Sequence, residues 1–293
     1  MIKIAIIGAS VAGHTLVLNL REKNKDCQIT LISEEGYPFY DRRLLLDFLA
    51  GRIKEEDLFK FKEDSYAKDN INFTRNKKVN YLNLQKKNLQ LKTKEIINYD
   101  FLVICSGRRY VLPEIPGANK PGVFTLYSLS DFKQFLDYFI SDSVCLVGSD
   151  DFAVNTAGII ASKNKEVKLV SSRDLSSISL PSRIKVINSE ILEIIGESVV
   201  QAVKFKEGKI IACQSVVFLD KKESSIDFLK GTNIELSQGL IAVDDFGQTN
   251  YPGIYACGSV AGSKLKADNN KSWDEVLAES ARLSDYLSGI AKG

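Results

Sequence analysis

The sequence has little of what side-chain catalysis is usually built from. One residue in 293 is histidine, His14, so neither a Ser-His-Asp centre nor a histidine-rich metal site is expected. His14 directly follows a glycine turn and reads as packing at the start of a helix. The five cysteines (Cys27, Cys105, Cys145, Cys213, Cys257) are far apart in the chain and none forms Cys-x-x-Cys. That spacing argues against a disulfide framework, a zinc knuckle and a redox dithiol. They read as small buried hydrophobes in a reducing compartment, the cytoplasm. An excess of one charge is also missing: 39 Lys+Arg against 37 Asp+Glu leaves +2. Charge-driven nucleic-acid binding is therefore not the leading reading. No apolar run approaches the roughly 18 residues that a membrane span needs. The chain opens on the strand-like run Met1–Ile7 without a basic leader, so no signal peptide is expected. If the chain is an enzyme, a cofactor is expected to carry its reaction.

What is present is ordinary globular composition, 44% hydrophobic and 26% charged, in a length suited to about two domains. Ile2–Ile7 is mostly β-branched, as a parallel strand covered on both faces should be. A glycine turn at Gly8–Gly13, a helical pattern through Leu16–Leu20 and a second strand at Gln28–Ser33 complete a βαβ unit. The same grammar returns at Ser143–Val147, Gly148, Ala153–Ser162 and Val167–Val170. Two copies of one blueprint predict two nucleotide-type domains. Asn88–Asn98 reads as antiparallel strand material, and Asp100–Gly107 as a buried strand ending in a tight turn. Pro113 and Pro116-Gly117 mark a crossover into the middle domain. After Ile234 come a strand pair, a buried strand at Ile254–Cys257 and a last helix opening on the capping box Ser272-x-x-Glu275.

A dinucleotide fold uses Gly-x-Gly-x-x-Gly for a tight turn, close approach of pyrophosphate and close helix packing, with an acid about 20 residues on for a ribose hydroxyl. Here the stretch is Gly8-Ala-Ser10-Val-Ala12-Gly13, with Ser10 in the middle position, and Glu34 stands at the end of the second strand. Taken alone, Gly8 and Gly13 could be turn glycines and Glu34 a solvated acid. The segment Glu34-Glu-Gly-Tyr-Pro-Phe-Tyr-Asp-Arg42-Arg-Leu-Leu resembles the one after the ribose acid in FAD-dependent pyridine nucleotide-disulfide oxidoreductases. It is most similar to the branch of NADH:rubredoxin reductases, ferredoxin reductases of oxygenase systems and the flavin domain of NADH nitrite reductases. Tyr99-Asp-Phe-Leu-Val-Ile-Cys-Ser106-Gly107 and Pro113-Glu-Ile-Pro-Gly117 resemble two further family stretches. Asp244–Val260, containing Gly258-Ser259, resembles the second FAD fingerprint.

The resemblance implies an α/β fold of two Rossmann-like three-layer domains, the second inserted in the first. The expected division is 1–115 and 233–293 for FAD, and 116–232 for an NAD(P)-binding-like domain. It implies FAD, with Gly8, Ser10, Ala12 and Gly13 at the pyrophosphate, Glu34 at the ribose and Arg42 pairing with the diphosphate. Val79 would meet the adenine through its backbone, Ser106 and Gly107 would line the cradle, and Gly258-Ser259 would hold the ribityl end. The last helix would present its N-terminus, at Ser272 and Trp273, to the flavin; Trp273 as domain packing is the alternative.

Several positions depart from the family pattern. Ser259 replaces an aspartate. The second turn, Gly148-Ser-Asp150-Asp151-Phe-Ala153-Val-Asn155, keeps only its first glycine, sets Asp150 where the backbone should meet pyrophosphate, and has Asn155 for an acid. Arg173 would suit a 2′-phosphate. The helix after Val170 is expected to be trimmed to Leu175–Ser182. No cysteine lies near Leu44–Leu46, and no dimerisation domain like that of many relatives is expected after the last helix. The expected function is electron transfer between NAD(P)H and a small electron-carrier protein or redox subunit. The alternative is a flavin-bearing subunit with a degenerate NAD(P)H site that receives electrons from a partner; a third reading is a ligand-sensing dinucleotide binder.

Overall fold

The computed structural model describes residues 1–138, 142–175, 178–263 and 271–291. They form two compact units: residues 1–41, 59–108 and 224–293, and residues 42–58 and 109–223. The second is inserted in the chain of the first, and both are α/β.

The first unit is built on a five-stranded parallel sheet in the order Ile254–Ala256, Phe101–Ile104, Lys3–Ile7, Gln28–Ile32, Ile71–Thr74. Alternation along the first strand sorts its side chains between two cores. Ile4 and Ile6 join Leu16 and Leu20 of helix Val11–Lys23 and Leu283 and Leu287 of helix Trp273–Ile290. Ala5 and Ile7 pack instead with Leu82, Leu89 and Leu91 of an antiparallel sheet, Val79–Asn83, Asn88–Leu91 and Ile96–Asn98. Helices, parallel sheet and small antiparallel sheet are the three layers. Asn88–Leu91 and Ile96–Asn98 fall in the stretch read as antiparallel, because Leu89 and Leu91 alternate with polar residues, whereas Val79–Asn83 was not expected as a strand.

The second unit repeats the plan. Its parallel sheet runs Ile184–Ile187, Glu166–Val170, Ser143–Val147, Ser215–Phe218, Val123–Phe124. Helix Asp151–Ser162 buries Ala157 and Ile160 completely. The antiparallel strands Ile191–Ile195, Ala202–Phe205 and Ile210–Ala212 supply Ile194, Val203 and Phe205 to a core with Cys145 and Val216.

The unit bounds differ from the division expected from sequence: Arg42–Leu58 groups with the second unit. Glu55 there takes both bonds of Lys133, at 2.8 and 2.9 Å, and Leu45 and Leu49 are buried. Of the segment expected as a trimmed helix, 175–182, residues 176 and 177 lie outside the described residues and the rest forms no helix. Among the described residues no helix is long and apolar enough to cross a membrane, and no group of His, Cys, Asp or Glu could hold a metal ion.

Candidate cofactor site

In the first sheet Ile7 stands level with both Ile32 and Ile104, and Ile104 with Ala256. The next residues of these strands, Gly8, Ser33-Glu34, Cys105-Ser106-Gly107 and Cys257-Gly258-Ser259, therefore emerge together at the carboxyl edge. The chain departs from Lys3–Ile7 toward one side and returns on the other as Phe101–Ile104, so the sheet has its topological switch point there, where open α/β sheets bind ligands.

Contacts explain the glycines. A β-carbon on Gly8 (φ +107°) would lie 2.3 Å from the Cys105 carbonyl oxygen and 3.0 Å from the Ser106 nitrogen. One on Gly13 would lie 1.9 Å from the Gly8 oxygen, and one on Gly258 (φ +81°) 2.9 Å from Ala12 Cβ. The first turn and the second fingerprint thus touch through atoms that no larger residue could supply. Helix Val11–Lys23 starts from Ser10, whose side chain makes no capping bond, and its first turn holds no acid. Its leading N–H groups and the positive end of its dipole are left for an anion. Beside them the Ser106 hydroxyl is buried without a hydrogen-bond partner among the described residues, a cost that a bound polar group would relieve. An uncapped helix start, a glycine cradle and an orphaned hydroxyl fit the diphosphate of an adenine dinucleotide such as FAD. Gly107 (φ +69°) accepts a bond from Ser225 N–H at 3.0 Å, which fixes the turn.

Glu34 is exposed and its carboxylate pairs with the Lys78 ammonium at 2.9 Å. The loop carrying Lys78 is held by Lys77 N–H donating to the Ser33 carbonyl. Val79 commits its side chain to the core beside Ile7 and Ile32. Lys78 was not found from sequence; its only signal is its place next to Val79.

The second fingerprint is bracketed by an ion pair that sequence reading also missed. Gly258 N–H donates to the Glu279 carboxylate at 3.1 Å, Lys271 donates to the Gly258 carbonyl at 3.2 Å, and Lys271 pairs with Glu279 at 2.5 Å. A carboxylate absent at Ser259 is thus supplied nearby by the last helix. The available signal was Glu279 standing on the apolar stripe of Val276, Leu283 and Leu287. Trp273, half-buried, is the first residue of that helix, whose capping box is formed: Ser272 Oγ accepts from Glu275 N–H and the Glu275 carboxylate accepts from Ser272 N–H.

All five cysteines are free and buried. Cys105 and Cys257, distant in sequence, are neighbours at the sheet edge; their mutual hydrogen bond and burial push the Cys105 thiol well up. His14 stacks on Phe39, ring centroids 4.1 Å apart, and its Nδ1 lies 2.8 Å from the Tyr66 hydroxyl. Burial lowers its pKa to about 4, so it is neutral packing, as its position in the sequence implies. Arg42 belongs to the second unit, where its guanidinium lies 4.5 Å over the Tyr127 ring.

The turn in the second unit is tight but differently filled. A β-carbon on Gly148 would be 2.5 Å from Ala153 Cβ and 3.0 Å from the Leu219 carbonyl oxygen. Asp150 caps helix Asp151–Ser162, its carboxylate accepting from Ala153 N–H at 2.9 Å. Arg173 is bound to Asp151 at 2.9 Å and Asn155 is exposed. At this turn the residues do not fit a dinucleotide diphosphate as they stand, because the carboxylate already holds the helix start.

The profile of the pyridine nucleotide-disulphide oxidoreductases matches residues 2–275. The chain belongs to this family. An NADH oxidase of Methanocaldococcus jannaschii is 26% identical over 279 residues, covering 86% of this chain and 62% of that protein. An NADH-rubredoxin oxidoreductase of Clostridium acetobutylicum is 27% identical over 263 residues, covering 88% and 68%. The structure of the covalent putidaredoxin reductase–putidaredoxin complex matches with a TM-score of 0.88 at 19% identity, over 98% of this chain and 75% of that one. The chain spans less than two thirds of the length of the NADH oxidase.

Proposed function

We propose that this chain is an FAD-dependent oxidoreductase that passes electrons between a pyridine nucleotide and a small electron-carrier protein. The observation that carries the FAD reading is the convergence, at the edge of three parallel strands, of an uncapped helix start, glycines no other residue could replace, and the orphaned Ser106 hydroxyl. In this reading Gly8, Ser10, Ala12 and Gly13 bring helix N–H groups to the diphosphate and Ser106 with Gly107 closes that cradle. Glu34, paired with Lys78, accepts from a ribose hydroxyl, and the Val79 backbone lies at the adenine. Gly258 and Ser259 hold the ribityl end, the Lys271–Glu279 pair fixes that turn, and Trp273 lies toward the flavin ring. Bound FAD would supply hydride acceptance and one-electron release. Arg42, stacked on Tyr127, keeps its proposed diphosphate role as a separate question, answered by FAD affinity of Arg42→Ala.

The electron partners rest on the family and on relatives named for NADH, rubredoxin and putidaredoxin. The unpaired, buried cysteines support a reducing compartment, the cytoplasm. The domain roles follow: the first unit for FAD, the second for nucleotide. One observation favours the alternative, a flavin subunit fed by a partner: Asp150 occupies the second helix start. An anaerobic titration of the purified yellow protein decides between them. Bleaching by NADH or NADPH supports the first reading; bleaching by dithionite alone supports the second.

A further inference from the structure

We propose that Asp150 is a built-in competitor for the diphosphate of a pyridine nucleotide and sets how weakly the second unit binds that ligand. The proposal deepens the reading of this unit as the nucleotide-binding one and rests on it.

Three donors from three chain segments converge on this carboxylate. Ala153 N–H at the helix start bonds it at 2.9 Å, the Tyr110 hydroxyl donates to it at 3.3 Å, and the Lys222 ammonium lies 3.7 Å away. An ordinary helix cap needs only the first of these. A backbone N–H at a helix start, a hydroxyl and an ammonium are together the donor set that phosphates recruit. The place is also the one where such a ligand belongs: Ser143–Val147 pairs on one side with Glu166–Val170 and on the other with Ser215–Phe218, so Gly148 opens the turn at the switch point of this sheet.

The surrounding packing holds the donors in place. The Tyr110 ring stacks with Phe152 (centroids 6.1 Å apart, planes 21°), and Lys222 Nζ lies 4.6 Å over the same ring. Burial and the nearby carboxylate push the Tyr110 phenol up, so it stays a donor. A nucleotide diphosphate can reach these groups only after Asp150 leaves them, and it then meets the negative charge of that side chain. Because the Asp150 side chain is half-exposed, this repulsion is screened by salt.

The test is calorimetric titration of the FAD-loaded protein with NAD+ and NADP+, which bind without reducing the flavin, on wild type, Asp150→Gly and Asp150→Asn. Glycine is an accepted N-cap and asparagine keeps the capping oxygen, so at least one variant should fold like wild type. Asp150→Gly is expected to bind at least tenfold tighter at low salt, with the gain shrinking as salt rises. Asp150→Asn, which loses the charge but keeps the plug, should fall between them. Adding Lys222→Ala to Asp150→Gly should remove most of the gain. If wild type binds and Asp150→Gly binds no tighter, the proposal is overturned and the nucleotide reading stands. Binding by Asp150→Gly alone upholds the proposal and removes the nucleotide as partner of the native chain. No binding by any variant overturns both.

Discussion

Ser106 separates a ligand role from a structural one at the scale of a single residue. Its buried hydroxyl has no partner among the described residues, so Ser106→Ala removes a desolvated group rather than a bond. Stability of the cofactor-free chain should be unchanged or slightly higher, while FAD affinity falls by about 1 kcal/mol, roughly fivefold. Urea unfolding and FAD titration of the same variant check both halves. His14 gives a pH dependence with a definite sign. Its folded pKa of about 4 lies below its ordinary value of 6.5. Between these values the unfolded chain binds more protons, so the contribution is complete above pH 6.5 and is lost as pH falls toward 4. It amounts to about 3 kcal/mol. A stability profile from pH 7 to 4 should be flatter for His14→Gln than for wild type. Gly13→Ala would drive a β-carbon to 1.9 Å from the Gly8 carbonyl oxygen; a loss of about 3 kcal/mol or more is expected in the same unfolding assay.

Among the elements, the two helices that follow the glycine turns differ where it matters. Helix Val11–Lys23 leaves its start open and helix Asp151–Ser162 fills its own. Both helices were legible in the sequence, because strand, glycine and helical run follow each other without interruption, but their first turns, from Val11 and Asp151, were read as part of the glycine turns; the capping box at Ser272 was legible too. Replacing that cap, Ser272→Ala, should lower stability by about 1 kcal/mol, read from the urea midpoint. What the sequence could not reveal are pairings between distant segments. Lys78 reaches Glu34 across 44 positions, and Cys105 meets Cys257 because two parallel strands align their ends; Lys271 and Glu279 are closer in the chain but meet only once the last helix has formed. No local pattern carries such contacts; Glu279 alone left a trace, as a charge on a buried stripe.

For the whole molecule, the repeated plan was legible because strands covered on both faces must be continuous apolar runs, and both units contain them. The allegiance of Arg42–Leu58 was not, since it shows only in contacts between distant segments, such as the Glu55–Lys133 pair, 78 positions apart. The proposed electron transfer stands on the first unit binding FAD. The most direct measurement is the amount of flavin bound by the purified chain after saturation with FAD and removal of excess, from its absorbance and protein content. One FAD per chain, bound about fivefold more weakly by Ser106→Ala, is the predicted result. A folded wild-type chain that retains no flavin would contradict it.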